Sequence, residues 1–368
     1  MKDAAEAMAA GDLQKAETEL KAVLATTPND YRALNLLGIV RAQQRREPEA
    51  EQLFKQAIQQ KQDFVSAHVD LGLLYVQSNR QDDAVAEFKE ALRLEPARSD
   101  AALGLVNIWR AQAKDAVGSG DLEKALSVLI QARKLAPQNT DLHFEFGMVA
   151  LRMSLLPDAV QAFQNVLDVR NDDSRAIYGL GRAQIGLSKF QEARELFERY
   201  VRLRPEDASG HYALGLSLQA SQLAAEARRE FEKSIAIQAV QTESYFQLGR
   251  MDLEANSLDG AVRCFRKVLE RDPNHAGALT GMGRVEFQRK NYAKAWDLLR
   301  LAIASDPSLR EAHYYLGMSE ARLGKKEESE KELQIAGQLE HEEVESRRVV
   351  IKILDSNDPL ARQLGETK

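Results

Sequence analysis

A period of 34 residues constrains this chain more than any other feature. Leu-Gly pairs and their variants recur at Leu37-Gly38, Leu71-Gly72, Phe146-Gly147, Leu180-Gly181, Leu214-Gly215, Leu248-Gly249, Met282-Gly283 and Leu316-Gly317. Successive pairs stand 34 residues apart except between 71 and 146, a gap of 34 plus 41, and Leu105-Val106 marks the unit inside it. A second landmark runs in step: an Ala with Phe or Leu four residues on, from Ala16/Leu20 and Ala50/Phe54 through Ala193/Phe197 to Ala295/Leu299, closed by Ser329/Leu333. Pro28, Pro96, Pro137, Pro205, Pro273 and Pro307 follow the Ala by twelve residues, where a helix must stop or bend. A repeat of this length is one supersecondary unit that cannot bury its apolar face alone and must lean on its neighbours.

Within a unit the landmarks have helical spacing. His68, Leu71, Gly72 and Tyr75 fall at i, i+3, i+4 and i+7 on one helix face, and Ala84, Phe88 and Ala91 form a second face after the polar turn SNRQDD. Each unit is expected to be two antiparallel amphipathic helices. Glycine inside a helix costs roughly 1 kcal/mol against alanine, and its recurrence implies close approach of the partner helix.

Composition agrees with an all-α chain: only 9 Pro and 21 Gly in 368 residues, with little Val, Ile and Thr alternation. The net charge of −6 argues against a protein that lives on a polyanion, because nucleic-acid binding draws on Lys and Arg neutralising phosphates. The lone Cys264 excludes a disulfide framework and a multi-cysteine metal site. No apolar run is long enough to span a bilayer, and the first thirty residues lack the layout of a secretory leader. The expectation is a soluble, cytoplasmic chain without membrane insertion, or a periplasmic or secreted one if a leader has been removed.

These coupled landmarks resemble the tetratricopeptide repeat, over nearly the whole chain. The resemblance implies an α-solenoid, a right-handed superhelix of about ten helix pairs over residues 1–341, whose concave wall is lined by the first helix of each unit. Unit four carries a seven-residue insertion near 99–120 that keeps Ala102, Leu105, Trp109, Ala113 and Ala116 on one side of a longer first helix. A capping helix is expected over 342–354 and a loose tail over 355–368.

His68, His143, His211 and His313 occupy one slot of the repeat, which Leu34, Ile177, Tyr245 and Leu279 fill elsewhere. Neighbouring units lie about 10 Å apart, too far for shared coordination at bond lengths near 2 Å; these histidines are read as packing residues. GLGRAQIG at 179–186 lacks the strand and third glycine of a dinucleotide fingerprint, and HEEVE at 341–345 lacks the second histidine of a zinc-protease helix. No catalytic, cofactor-binding or metal-ligating set emerges.

The residue one step past the histidine slot reads Phe144, Tyr178, Tyr212, Phe246, Thr280 and Tyr314 through the later units, and one turn on stand Arg182, Arg250 and Arg284. Large residues in the first column suit packing between adjacent first helices. They also suit a groove in which Phe144, Tyr178, Tyr212, Phe246 and Tyr314 grip apolar side chains of a peptide while the arginines meet its carboxylates, since aromatic and Arg side chains are the usual anchors of interfaces. The functional expectation is a non-catalytic interaction scaffold with a protein or peptide partner. The alternative is an assembly component that self-associates or sits in a larger machine through its end helices or convex face.

Overall fold

The protein, represented by a computed structural model, is described over residues 1–346. Its described residues form twenty α-helices and no strand. They fall into two compact units, Met1–Phe146 and Gly147 onward.

In the first unit, first helices α1 (Lys2–Ala9), α3 (Tyr31–Gln43), α5 (Val65–Gln77) and α7 (Ser99–Gly118) alternate with second helices α2 (Leu13–Thr26), α4 (Glu47–Gln60), α6 (Gln81–Leu94) and α8 (Leu122–Leu135). Helix α9 (Thr140–Arg152) spans the boundary. The second unit continues with α10 (Leu156–Val169), α11 (Ser174–Gly186), α12 (Phe190–Leu203), α13 (Ala208–Ala220), α14 (Ala224–Ile237) and α15 (Thr242–Glu254). It closes with α16 (Leu258–Leu269), α17 (Ala276–Gln288), α18 (Tyr292–Ser305), α19 (Arg310–Arg322) and α20 (Lys326–Ser346). The capping helix expected at 342–354 lies outside the described residues, apart from 342–346, which continue α20, and the tail expected at 355–368 lies wholly outside them.

Sharp turns join the two helices of each pair. Each turn holds one left-handed residue: Gly11, Arg45, Asn79, Gly120, Ser154, Ser188, Gln222, Asn256, Lys290 and Gly324. The amide after it reaches back five residues, Arg46 N to Arg41 O and Lys189 N to Gln184 O, both at 2.9 Å. That bond satisfies a carbonyl the helix end would otherwise leave unpaired. Some helix starts are capped by side chains: Asp30 accepts from the amides of Arg32 and Ala33, and Asp173 from those of Arg175 and Ala176.

The two sequence landmarks meet in space. A β-carbon on Gly38 would come within 2.6 Å of the Phe54 ring, and one on Gly215 equally close to Phe231. The glycine lets the second helix lay its aromatic ring flat on the first helix backbone, and both phenylalanines are almost wholly buried. This close contact is the reason a helix-weakening residue sits in mid-helix.

Successive pairs are tied by a further polar register. Arg41 of α3 binds Glu17 of α2, Tyr75 Oη donates to Glu51 at 3.0 Å, Arg228 Nη2 donates to Asp252 at 2.7 Å, and Trp296 Nε1 donates to Glu320 at 3.0 Å. Each couples a first helix to the second helix of the preceding repeat at a separation of 24 residues. Glu286 holds the same place but takes Lys294 and Asn291 instead, at 2.7 and 2.8 Å.

Helix α7 has 20 residues where α5 and α11 have 13. It buries Leu105, Trp109, Ala113 and Ala116, while Ala102 is half-buried.

Candidate functional site

The repeated histidines form a structural clasp. His68 Nδ1 lies 2.7 Å from Glu87 Oε2 and its Nε2 3.2 Å from the Gln62 carbonyl. His211 repeats this with Glu230 at 2.6 Å and the Pro205 carbonyl at 3.0 Å, and His313 with Glu332 and Pro307 at 2.6 and 3.0 Å. In each, one ring joins the first helix, the second helix of the same repeat and the turn before it. Both partners only accept, so the full set of bonds requires both ring nitrogens to carry protons. The hydrogen bond from Glu87 or Glu230 accordingly holds the His68 and His211 pKa above the ordinary histidine value, against burial, which lowers it. His143 keeps the carbonyl bond, to Pro137 at 2.8 Å, but Ala162 stands where the glutamate would be.

The predicted groove residues divide by exposure. Phe144, Tyr178 and Tyr212 are buried, Tyr178 to 1 % exposure with its ring 5.6 Å from Phe197 and 5.0 Å from Tyr200. Phe246, Arg182 and Arg284 are half-buried, and Arg250 and Tyr314 are exposed, Tyr314 to 42 %. Phe144 belongs to the first unit and the other seven to the second. Within the second unit α15 meets α17 and α17 meets α19, which lines up Phe246 and Arg250, Arg284, and Tyr314 on a row of first helices. Arg284 is ion-paired with Glu311 and its guanidinium stands 5.2 Å from the Tyr315 ring centre. Arg250 has no ion pair among the described residues; it reaches Gln247 at 3.4 Å and lies 6.0 Å from the Phe246 ring.

The first unit carries a feature that no sequence motif marks. Asn35 of α3 donates from Nδ2 to Asp70 Oδ2 of α5 at 2.7 Å. Beside this pair is a hollow of about 200 Å³ lined by Ile39, Ala42, Gln43, Phe54, Asp70, Leu73, Leu74 and Gln77. Burial holds the Asp70 carboxyl above the ordinary carboxylate range, and the Asn35 bond only partly opposes this. The available signal was a polar pair 35 residues apart on successive first helices, a separation repeated by Arg110 and Glu145.

Among the described residues no three or more His, Cys, Asp and Glu side chains form a group able to hold a metal ion. Nor is any described helix long and apolar enough to cross a membrane. Cys264 is half-buried, and burial foremost, with Asp252 nearby, pushes its thiol up to about 11, which keeps it protonated and unreactive at neutral pH.

A family model described as tetratricopeptide repeat matches residues 4–63, 69–112, 110–176 and 246–310, and a second of the same description matches 150–216. Among solved structures, the chain is similar to the P58(IPK) TPR domain, at 17% identity over 88% of this chain and 96% of that one, with a TM-score of 0.34. It is also similar to YrrB, described as a TPR protein with an unusual peptide-binding site, at 24% identity over 50% and 95% of the two chains, TM-score 0.41. A tetratricopeptide repeat protein from Parabacteroides merdae ATCC 43184 aligns at 15% identity over 70% and 99%, TM-score 0.47. No curated protein matches. The glycine-on-phenylalanine contact that repeats from pair to pair, and the family models that cover most of the length, have one meaning: the chain belongs to the tetratricopeptide repeat family.

Proposed function

We propose that this protein is a non-catalytic scaffold that binds a protein or peptide segment along its first helices. The family supports the general reading, since tetratricopeptide repeats are interaction modules without chemistry of their own. In the second unit the binding surface is built on Phe246, Arg250, Arg284 and Tyr314, flanked by Arg182. Tyr178, Tyr212 and Phe144 are buried, and in this reading they pack the repeats and do not touch the partner.

Arg250 is the observation that carries the proposal. An exposed guanidinium beside a half-buried aromatic ring, with no acidic partner among the described residues, suits a carboxylate arriving from outside. A charge-assisted hydrogen bond of this kind contributes about 1.5–3 kcal/mol, or roughly tenfold or more in affinity.

The test is a selection of random nine-residue peptides displayed on phage against the full chain, followed by affinity measurement on an Arg250→Ala, Tyr314→Ala variant. Selected peptides should carry Asp or Glu and bind the variant at least about tenfold more weakly, with thermal unfolding unchanged. Equal affinity for both chains overturns the assignment.

A further inference from the structure

The hollow between α3 and α5 differs in chemistry from the arginine-bearing row of the second unit. Asp70 is its charged group. One carboxylate oxygen, Oδ2, is held by the neutral amide of Asn35. The basic group whose charge acts on it, Arg98, is engaged by Asp100 at 2.8 and 3.0 Å and lies 3.7 Å from Glu95. Asp100 itself adds a repulsive negative charge. No cation is ion-paired with Asp70 among the described residues.

Asp70 is half-buried, and a carboxylate partly removed from water without a counter-ion is a cost to the fold. The surroundings add to it, because the Asn35 side-chain oxygen is also buried and lacks a donor. Within the pocket itself, the unmet need is a positive charge for Asp70.

Shape narrows the occupant. At about 30 Å³ per water, a hollow of about 200 Å³ has room for roughly half a dozen waters, or for one long side chain. Its walls are Ile39, Leu73 and Leu74, and Leu73 stands 44 % exposed at the rim. Aliphatic walls over a carboxylate match a side chain with an apolar stem and a charged tip. With one Asp70 oxygen already occupied, the site suits a compact ammonium better than the two-pronged guanidinium, which uses both oxygens. The Gln43 and Gln77 amides beside it offer further acceptors for the remaining ammonium protons.

We propose that the α3–α5 hollow binds a lysine side chain of a partner peptide, the ammonium on Asp70 and the stem against Ile39 and Leu73. This rests on the reading of the first-helix row as the binding wall, with the charge preference reversed from that at Arg250.

The same displayed nine-residue peptides, selected on the full chain and counter-selected on an Asp70→Asn chain, test it. Peptides that depend on Asp70 should carry lysine next to Leu, Ile, Val or Met. Resynthesised with norleucine in place of lysine, they should lose at least about tenfold in affinity. Arg250→Ala should leave them unaffected. Leu73→Lys, a change at an exposed rim position, places a tethered ammonium beside Asp70 and should produce the same loss should Asp70→Asn fold poorly. Asp70-independent binding of every selected peptide, Asp70-dependent peptides without lysine, or no binders at all overturns the proposal. Binders that depend on Arg250 but not on Asp70 leave the second-unit site standing and remove this one alone.

Discussion

Arg228 and Asp252 are joined at 2.7 Å across the seam between two repeats, from the second helix of one to the first helix of the next. The same 24-residue step joins Glu17 to Arg41, Glu51 to Tyr75 and Trp296 to Glu320. Apolar packing between repeats is non-directional, whereas these bonds form only when the two helices are correctly aligned along their axes. At these four seams the polar register therefore fixes how adjacent repeats align along their helix axes.

Arg41 is 5 % exposed in its side chain, and Glu17 and Glu49 are its acidic partners. Glu17→Ala should destabilise the first unit by about 3 kcal/mol, because it strips the main counter-charge from a buried guanidinium. Urea unfolding of the variant measures this. The hydrogen bond from Arg41, then those from Lys21 and Gln44, hold the Glu17 carboxyl far below its usual value of 4.5. A depressed folded-state pKa contributes stability that is present above pH 4.5 and lost as pH falls through the folded value. The wild type's advantage over Glu17→Ala should shrink steadily on acidification below pH 4.5.

His68 and His211 titrate with the opposite sign. Their folded pKa lies above the ordinary histidine value of 6.5, so their contribution is complete below pH 6.5 and disappears as pH rises through the raised value. Against a His68→Leu, His211→Leu chain, wild type should be more stable by about 1.5–3 kcal/mol per clasp at pH 5.5 and should lose that margin in mildly alkaline solution. Proton NMR titration of the two imidazoles should show both midpoints above 6.5; ordinary midpoints would contradict the clasp.

Ser188 and Lys290 adopt left-handed backbone at φ 60° and 62°. For residues with a β-carbon this conformation costs about 1–2 kcal/mol. Ser188→Gly and Lys290→Gly should each raise the urea midpoint. Asn79→Gly and Asn256→Gly, at φ 56°, should change it much less, since asparagine tolerates the region.

Gly215→Ala should destabilise by about 1–3 kcal/mol, as its methyl group would be forced into the Phe231 ring. Hydrogen exchange should show the loss concentrated in α13 and α14 and their immediate neighbours, because repeat arrays hold their stability locally. A uniform loss along the whole chain would count against that picture.

The repeat, the helix pairs and the longer α7 were legible from the sequence because they rest on residue types recurring at a fixed separation. Glycine, alanine and phenylalanine at 34-residue intervals have one economical arrangement, each ring seated on a bare stretch of neighbouring helix. The aromatic column was legible as a column, but the fate of each member was not. Tyr178 is packed against Phe197 and Tyr200, whereas Tyr314 stands exposed in the last described helix pair. Asn35 and Asp70 likewise pair only because the fold sets α3 and α5 side by side. Periodicity alone determined which residues form each helix and which face turns inward, because burial of an apolar stripe repeats wherever the stripe does. Exposure, ion pairing and the Asp70 hollow were decided only in the tertiary structure, because they depend on the particular side chains that adjacent repeats bring into contact.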